Sequence, residues 1–497
     1  MEKVIEFLVA STHHYYYFLL ILLPLLYLIF KSPRNLPPGP FPWPILGNIL
    51  SLGNNPHVSL AKLATSYGPL ISLRLGTQVL VVGSSEAAAT EILKTHDKSL
   101  SARYVPRANA FYPDRLDFSI GWTDCTDQWK FLRTFVKTEL FSPKAIQAQS
   151  GIRELKVSEM IELLTTKEEG EEVNIPELVF SVVFNILSNI LVSVDFLNLY
   201  EEDEKGFKEY IRIYADLVST PNLADYYKIV SELDLQGLNR KGKEILVKFT
   251  GLWEAILKEK LENKVTDVSR KRDVMDGLFE RTPSKDQADC LILDLLFAGT
   301  DTTVSTVEWA LAELIKSPEA MNNVCNEIQR NIKGSSVKES DLQSLPYLHY
   351  VLKETLRLHP PAPLLLPRRA LETCKVMNYT IPKDTQIFVN AWAIGRDPKI
   401  WDDPFTFKPE RFLETSLELN TGEYNFIPFG SGRRICPGIP MANKQVPLIL
   451  ASLLKSFDWS LPPYLKPTEL DMEEKFGLTL QKEKPIVLIP KFKPSSA

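Results

Sequence analysis

One glycine-rich segment, residues 429–438, holds the side chain best suited to chemistry, Cys436. Glycine permits a tight loop with positive φ and a close approach of the backbone to another group. The sequence predicts a helix over residues 441–454, and a thiolate is stabilised near a helix N-terminus and beside cations such as Arg434. The loop is thus suited to presenting a thiolate to a metal from one side, although a buried structural cysteine after a turn fits the same pattern.

A second segment lies in the middle of a stretch without proline, residues 286–316, that predicts one long helix. Residues 298–303 read AGTDTT, and the Gly, Asp and Thr residues cost a helix roughly 3 kcal/mol relative to Ala. Threonine hydroxyls can bond the carbonyls four residues earlier and bend a helix. The segment predicts either a local groove, beside the hydroxyl of Thr302 and the carboxylate of Asp301, or a helix crossing that needs small residues such as Gly299.

Two further pairs of residues have helical spacing. Glu354 and Arg357 are three residues apart in a helix predicted over residues 346–357, and Trp129 and Arg133 are four apart. Residues at these spacings share one face of a helix and can interact. Such pairs are common, so their weight comes from the order in which all four segments occur along the chain.

The elements that position these residues are predicted to be mainly α-helical, with a small β-rich part. Helical patterns dominate residues 128–316, whereas residues 71–82 alternate like a β-hairpin and residues 386–390 like a short strand. No shift of composition marks a boundary inside residues 36–497, which favours one large domain.

The composition of the 497 residues is that of a globular protein, with 44% hydrophobic and 24% charged residues. The net charge of −5 argues against a nucleic-acid partner, because binding a phosphate backbone needs a basic excess. The cysteines have no CxxC spacing, which argues against a zinc knuckle or a disulfide framework.

The N-terminus, residues 1–30, predicts a membrane anchor. Residues 15–30 carry no charge, and with the mixed stretch before them they are long enough to cross a bilayer. Lys31 and Arg34 follow, which directs the rest of the chain to the cytosolic side. The proline-rich residues 31–44 predict a semi-rigid hinge that leads into the body of the chain. A cleaved signal peptide and a buried core helix are the alternatives for the anchor.

In this order the four segments resemble the signature of the cytochrome P-450 superfamily, plant microsomal type. The pattern Phe-x-x-Gly-x-Arg-x-Cys-x-Gly is matched from Phe429 to Gly438, and Arg411 in the motif PERF joins the Glu-x-x-Arg pair. Ser431 stands where alanine is commoner in that family. The resemblance implies the cytochrome P-450 fold, a single large haem-thiolate domain over residues 45–497 behind an N-terminal transmembrane helix. It also implies a single-pass protein of the endoplasmic reticulum membrane with a cytosolic catalytic domain.

The resemblance assigns roles to individual residues. Cys436 is implied to be the thiolate ligand of the iron of haem b (iron protoporphyrin IX), and Asp301 and Thr302 the acid–alcohol pair that delivers protons for oxygen activation. The implied cofactor-binding residues are Trp129, Arg133, Arg368, Phe429, Arg434, Cys436 and Gly438. The implied substrate-binding residues are Ala298, Leu364 and Phe476. A structural cluster of buried charges is implied at Glu354, Arg357 and Arg411.

Electrons must come from a partner, because the sequence has no flavin or nicotinamide fingerprint. The resemblance implies NADPH-cytochrome P-450 reductase, so NADPH would serve only indirectly. Lys130 and Lys137 lie seven residues apart on the helix of Trp129. They are predicted to help dock an acidic surface of the reductase, with plain solvation as the alternative.

Several stretches are similar to the plant alkaloid family that includes N-methylcoclaurine 3′-hydroxylase, among them residues 353–361, 364–374 and 474–482. That likeness implies an oxidoreductase that hydroxylates or phenol-couples an aromatic amine alkaloid, a benzylisoquinoline or tropane precursor. The alternatives are a terpenoid or phenylpropanoid hydroxylase, a littorine-type rearranging oxidase, and a non-catalytic haem sensor or carrier. A protonated amine needs an acid or an aromatic face. Asp301 is engaged elsewhere and Glu423 has no predicted position, so the anchor of the amine stays unidentified.

Overall fold

The computed structural model describes residues 35–109, 118–200, 206–266, 273–281, 285–413 and 423–493. The predicted membrane anchor and the first part of the predicted hinge, residues 31–34, lie outside the described residues. The described part of the hinge runs along the first strand of the sheet, where the amide and hydroxyl of Ser72 donate to the carbonyls of Pro38 and Pro37 at 2.9 and 2.6 Å. The described residues of this proline-rich segment are therefore hydrogen-bonded to the body of the protein.

Helices make up most of the described chain, which confirms the prediction of a mainly α-helical protein. They are α1 (Pro56–Tyr67), α2 (Glu86–Thr90), α3 (Asp127–Glu139), α4 (Pro143–Ala148), α5 (Ser150–Thr165), α6 (Ile175–Val192), α7 (Phe207–Ser219), α8 (Leu223–Tyr226), α9 (Leu238–Thr266), α10 (Val274–Arg281), α11 (Lys285–Lys316), α12 (Pro318–Asn331), α13 (Pro346–Leu358), α14 (Ala391–Ile394) and α15 (Ile439–Ser456).

The strands form small sheets. They are β1 (Leu70–Leu75), β2 (Gln78–Gly83), β3 (Ala102–Arg103), β4 (Val173–Asn174), β5 (Arg368–Arg369), β6 (Cys374–Val376), β7 (Tyr379–Ile381), β8 (Gln386–Val389), β9 (Phe457–Ser460), β10 (Glu474–Lys475), β11 (Gln481–Lys482) and β12 (Val487–Phe492). The largest sheet has the order β1-β2-β8-β5-β3. Its first two strands pair antiparallel with Leu75 opposite Gln78, so the predicted hairpin is confirmed.

Helix α11 runs without interruption for 32 residues through the core, as the stretch without proline predicts. Its Gly299 faces α6, where a Cβ atom would lie 2.8 Å from Cδ1 of Leu187. Ordinary carbon contacts need about 3.5–4.0 Å, so a larger residue would push the two helices apart. At this position the small residue serves a helix crossing, which was the alternative to the predicted groove.

Two described helices, α6 and residues 287–316 of α11, are long and apolar enough to cross a membrane by length and composition. Most of each apolar window is buried inside the protein, 83% and 67% respectively. Core helices of soluble proteins have the same character, so we assign both helices to the hydrophobic core.

A buried cluster of charges ties α13 to the segment that follows α14. Nε of Arg357 donates to Glu354 at 2.6 Å, and Nε of Arg411 donates to the same carboxylate at 3.0 Å. Nη2 of Arg357 donates to the same carboxylate at 2.8 Å, and Nη1 donates to the backbone carbonyls of Gly395 at 2.6 Å and Pro404 at 2.7 Å. Because nearly every donor and acceptor is used, the cluster can remain charged in the interior.

The segment held by this cluster packs against the chain that leads to Cys436. Phe412 lies 5.5 Å from Phe426, centroid to centroid, and Trp401 lies 6.2 Å from the same ring. Aromatic pairs at these distances attract one another in addition to their burial. The charge cluster thus supports the approach to the cysteine loop without touching the loop itself.

We expect Arg357→Ala to lower the free energy of unfolding by about 3–5 kcal/mol, because it leaves the carboxylate of Glu354 buried with an incomplete set of partners. Urea unfolding of the purified protein measures the change. Arg330→Ala, which removes an exposed arginine, is the matched control. A loss in Arg357→Ala no larger than in the control would show that the cluster does not stabilise the fold.

Candidate active site

The loop before α15 holds Cys436 in a fixed position. The amide of Cys436 donates to the carbonyl of Phe429 at 3.0 Å, which closes the loop on itself. Gly430 and Gly432 have φ values of 68° and 71°, a region that favours glycine. A Cβ on Gly432 would lie 2.4 Å from the carbonyl oxygen of Leu93. The spacing of glycines around the cysteine is therefore a requirement of the local backbone.

Opposing effects act on the pKa of the Cys436 thiol. Burial raises the pKa of this thiol, while the backbone N–H groups of Gly438 and Ile439 and the charge of Arg133 act in the opposite direction. Helix α15 begins at Ile439, so these N–H groups belong to its unpaired first turn. The loop supplies donors that favour a thiolate, and a bound metal cation would favour it further.

A large cavity of about 1050 Å³ opens beside the cysteine. Its wall includes Cys436 and Phe429 from the loop and Ala298, Asp301 and Thr302 from α11. This volume is at the upper end of the range for pockets that enclose small molecules and cofactors. The sequence segments around residues 298–303 and 429–438, more than a hundred residues apart along the chain, therefore meet at one site.

Four arginines gather at one part of this cavity: Arg103, Arg133, Arg368 and Arg434. Burial and the charges of Arg434 and Arg368 lower the pKa of Arg103 well below its ordinary value. Burial likewise lowers the pKa of Arg434 to about 10, and its Nη1 is buried without a hydrogen-bond partner among the described residues. Buried like charges repel one another and favour binding of an anion.

This arginine cluster fits the haem that the sequence resemblance implies, because haem carries two propionate carboxylates. Arginine binds carboxylates with paired donors, so the unpartnered Nη1 of Arg434 suits such a group. The guanidinium of Arg434 also lies over Trp129, 4.7 Å from its ring centroid. The indole N–H of Trp129 is already used, donating to the carbonyl of Ile120 at 3.0 Å. Trp129 therefore contributes a supporting ring under the arginines.

The acid and alcohol of α11 both line the cavity. The hydroxyl of Thr302 donates to the carbonyl of Ala298 at 2.7 Å, and the hydroxyls of Thr300 and Thr303 make the same bond to the carbonyls four residues earlier. Burial raises the pKa of Asp301 to about 6, against the charge of Arg212. The helix stays continuous through this segment, so the hydroxyl bonds are formed without a break.

Two residues predicted to bind substrate lie outside the wall of the large cavity. Leu364 is buried in a hydrophobic cluster with strands β1 and β2, and Leu365 and Leu366 line the cavity in its place. Leu365 has φ 54°, and this turn redirects the chain at that point. Phe476 stacks on His57 at 5.6 Å and lines a smaller cavity of about 220 Å³. A substrate-binding role for these two residues stays a prediction.

The remaining predicted residues are placed as follows. Ala298, Trp129, Arg133, Arg368, Phe429 and Arg434 line the large cavity. Gly438 lies behind the cysteine, where a Cβ would sit 3.7 Å from Sγ of Cys436. Glu423 is exposed and is not part of the described cavity wall.

Sequence reasoning missed several charged residues of the wall, among them Arg103 and Asp294. Arg103 is a lone arginine in a two-residue strand, and its position depends on the pairing of β3 with β5. Asp294 lies two helical turns before Thr302 and on the same face of α11. Helical spacing from Thr302 was the signal that could have found Asp294, whereas nothing local marks Arg103.

A single sulfur donor in a cavity wall, a cluster of cations for an anionic group and an acid–alcohol pair define a prosthetic-group site of an oxidoreductase. The comparison with family models agrees, because the model described as "Cytochrome P450" matches residues 37–489. The chain belongs to the cytochrome P450 family. It is therefore an oxidoreductase of the monooxygenase class, and the family implies haem as its cofactor.

Curated relatives are similar over nearly the whole chain. Probable (S)-N-methylcoclaurine 3′-hydroxylase isozyme 2 of Coptis japonica is 49% identical over 480 residues, which cover 95% of this chain and 97% of that protein. (S)-N-methylcoclaurine 3′-hydroxylase isozyme 1 of Eschscholzia californica is 48% identical, with coverage of 94% and 96%. Corytuberine synthase of Coptis japonica is 45% identical, also with coverage of 94% and 96%.

We expect Asp301→Asn to stabilise the folded protein at pH 8. Burial raises the pKa of Asp301 from its ordinary 3.8 to about 6, so ionisation costs free energy in the folded state. This cost is fully present above pH 6 and disappears as the pH falls towards 4. The gain is at most about 3 kcal/mol at pH 8 and roughly half of that at pH 5.

Urea unfolding at both pH values measures this gain, with Asp402→Asn at an exposed carboxylate as the control. A gain of equal size at both pH values, or a loss of stability at pH 8, would contradict the burial of an ionised carboxylate at position 301.

Proposed function

We propose that the protein is a haem-thiolate monooxygenase that oxidises an aromatic amine alkaloid of the benzylisoquinoline type. The observation that carries this proposal is the meeting of Cys436, the arginine cluster and the acid–alcohol pair in the wall of one cavity. The relatives named as (S)-N-methylcoclaurine 3′-hydroxylases and as corytuberine synthase support the substrate class.

Cys436 would hold the haem through its sulfur, and Arg103, Arg133, Arg368 and Arg434 would hold the propionates. Bound there, haem with a thiolate ligand supplies the activation of dioxygen, since the thiolate donates electron density that favours O–O cleavage. Phe429, next to the thiol in the wall of the cavity, would shield the sulfur from water. Exclusion of water strengthens the electrostatic effect of each nearby donor on the sulfur.

Thr302 and Asp301 would deliver the protons that oxygen activation consumes. The hydroxyl of Thr302 now donates to Ala298 and can rotate to donate into the cavity instead. Asp301 lines both the large cavity and the smaller one, so it can pass protons between them. A carboxyl whose pKa is about 6 both binds and releases a proton near neutral pH, as a general acid requires.

The walls of the cavity suit an aromatic substrate. Leu365, Leu366, Leu478 and Ala298 give apolar surface, and Phe297 adds an aromatic ring. Apolar walls bind a hydrophobic ring system through burial of its surface. A terpenoid hydroxylase is the second candidate, because Geraniol 8-hydroxylase of Swertia mussotii is 42% identical over 469 residues. The carboxylates in the cavity wall favour a basic substrate over a neutral terpenoid.

The further parts of the proposal concern membrane and partner. We propose that residues 1–30 anchor the chain in the endoplasmic reticulum membrane, that residues 31–44 form the hinge and that residues 45–497 form the haem domain on the cytosolic side.

Lys130 and Lys137 are both exposed on α3, the helix that carries Arg133 into the cavity wall. Nζ of Lys130 also lies 2.8 Å from the carboxylate of Asp127. We assign this face to docking of NADPH-cytochrome P450 reductase.

Turnover of N-methylcoclaurine under ¹⁸O₂ tests the proposed reaction. With NADPH and the reductase, we expect the amine to stimulate NADPH oxidation and the product to contain one ¹⁸O atom. A coupled product without ¹⁸O would replace hydroxylation by phenol coupling, since coupling adds no oxygen atom. Stimulation by geraniol but by no benzylisoquinoline would contradict the proposed substrate class and support the terpenoid candidate.

Reversal of two charges on α3 tests the reductase face. We expect the double variant Lys130→Glu, Lys137→Glu to receive electrons roughly tenfold more slowly at low ionic strength, because electrostatic steering is lost. The difference should shrink at high salt, where charges are screened. Lys375→Glu combined with Lys491→Glu, at two other exposed lysines, is the matched control. Equal rates and equal salt dependence in both double variants would contradict docking at this face.

A further inference from the structure

The wall of the large cavity contains two carboxylates among the described residues, Asp294 and Asp301. Both project from α11, where Asp294, Ala298 and Asp301 share one face because they are four and seven residues apart. Asp301 already has a cationic neighbour, since the charge of Arg212 acts on its carboxyl. The question is therefore which cation interacts with the carboxylate of Asp294.

Three donors bind Asp294, and all of them use the same oxygen. Oδ2 accepts from the hydroxyl of Ser119 at 2.7 Å and from the amides of Ile120 and Gly121 at 2.7 and 3.2 Å. None of the hydrogen bonds found in the described parts of the chain reaches Oδ1. One oxygen thus holds the loop after residue 118, and the other keeps its lone pairs for a further donor.

The electrostatics of Asp294 also lack a cation. Burial raises the pKa of its carboxyl to about 6, the three hydrogen bonds oppose this, and no cation from the described residues is among the causes. A partly buried carboxylate in a cavity wall without an opposite charge nearby is unfavourable. A positively charged group entering the cavity would remove that cost.

The surroundings of Asp294 suit an aromatic cation. Phe297 and Tyr214 line the same cavity, with their ring centroids 4.3 Å apart. Aromatic faces attract ammonium groups, most strongly where water is excluded. Along α11, Asp294 lies about 12 Å from Thr302 at 1.5 Å per residue. That separation leaves room for an aromatic ring between a held amine and the site of oxidation.

We propose that Oδ1 of Asp294 binds the protonated amine of the substrate, while Oδ2 holds the loop at residues 119–121. This inference rests on the proposed function and adds the residue that recognises the charged end of the alkaloid. The amine is held by the N-terminal half of α11, and the aromatic ring then points along the helix towards Thr302. Asp294 thereby determines which end of the substrate faces the oxidising centre.

The test compares two ligands that share a ring system and differ in charge. N-methylcoclaurine is a protonated amine at pH 7.5, whereas N-acetylcoclaurine is a neutral amide. The spectral shift of the ferric haem on titration gives both dissociation constants for the full-length haem protein. The readout is the ratio of the two constants within one preparation, which does not depend on the fraction of protein that has folded.

Asp294→Asn keeps an oxygen that can accept the three loop hydrogen bonds but removes the charge. We expect it to weaken binding of N-methylcoclaurine about 10- to 100-fold, as expected for loss of a charged hydrogen bond, and to leave N-acetylcoclaurine unchanged within about twofold. Asp294→Glu, which keeps the charge, should retain the preference for the amine. Asp402→Asn removes an exposed carboxylate that is absent from the wall of the large cavity, and it should change neither constant.

An unchanged ratio in Asp294→Asn, or an equal loss for amine and amide, would overturn the inference, because the carboxylate would then serve only the loop. If the unmodified protein gave no spectral shift with the amine, the proposed substrate class would fail, and the inference with it. A normal response of the unmodified protein together with an unchanged ratio would overturn the inference alone.

Discussion

A thiol fixed in the wall of a cavity that also holds an excess of buried positive charge is the constraint on which the site depends. Cys436 receives N–H groups from the start of α15, and four arginines line the same cavity, of which Arg368 lies 3.4 Å from the carboxylate of Asp97. Such an arrangement is costly in an empty protein. It becomes favourable when an anionic prosthetic group with a metal centre occupies the space, so the cavity and its cofactor must stabilise one another.

The rest of the fold serves to hold this arrangement still. Positive φ at Gly432 brings the loop within contact of the backbone at Leu93, and the charge cluster around Glu354 holds the aromatic residues that support the loop. In contrast to the arginines, helix α11 contributes carboxyl and hydroxyl groups along one of its faces. Gly299 fixes the depth at which that helix packs on α6. The charge cluster, the glycines and the packing of α11 on α6 thus position the same cavity wall, although they come from different parts of the sequence.

The sequence predicted the parts of this site that depend on local rules. Glycine spacing around Cys436, the long helix without proline and the hairpin at β1 and β2 all follow from backbone preferences. Leu364 and Phe476 lie outside the wall of the large cavity, because their orientation depends on a turn at Leu365 and on stacking against His57. Arg103 was missed because it joins the site through the pairing of β3 with β5, which no local pattern records. Asp294 was missed although its helical spacing from Thr302 could have indicated it.

The central claim is that the sulfur of Cys436 is the ligand of a haem iron, and carbon monoxide tests it most directly. The chemically reduced, purified protein should contain one iron per chain and give the red-shifted Soret band that a thiolate ligand produces with carbon monoxide. Cys436→Ala should lose that band. A protein without iron, or a red-shifted band that survives the removal of this sulfur, would contradict the account.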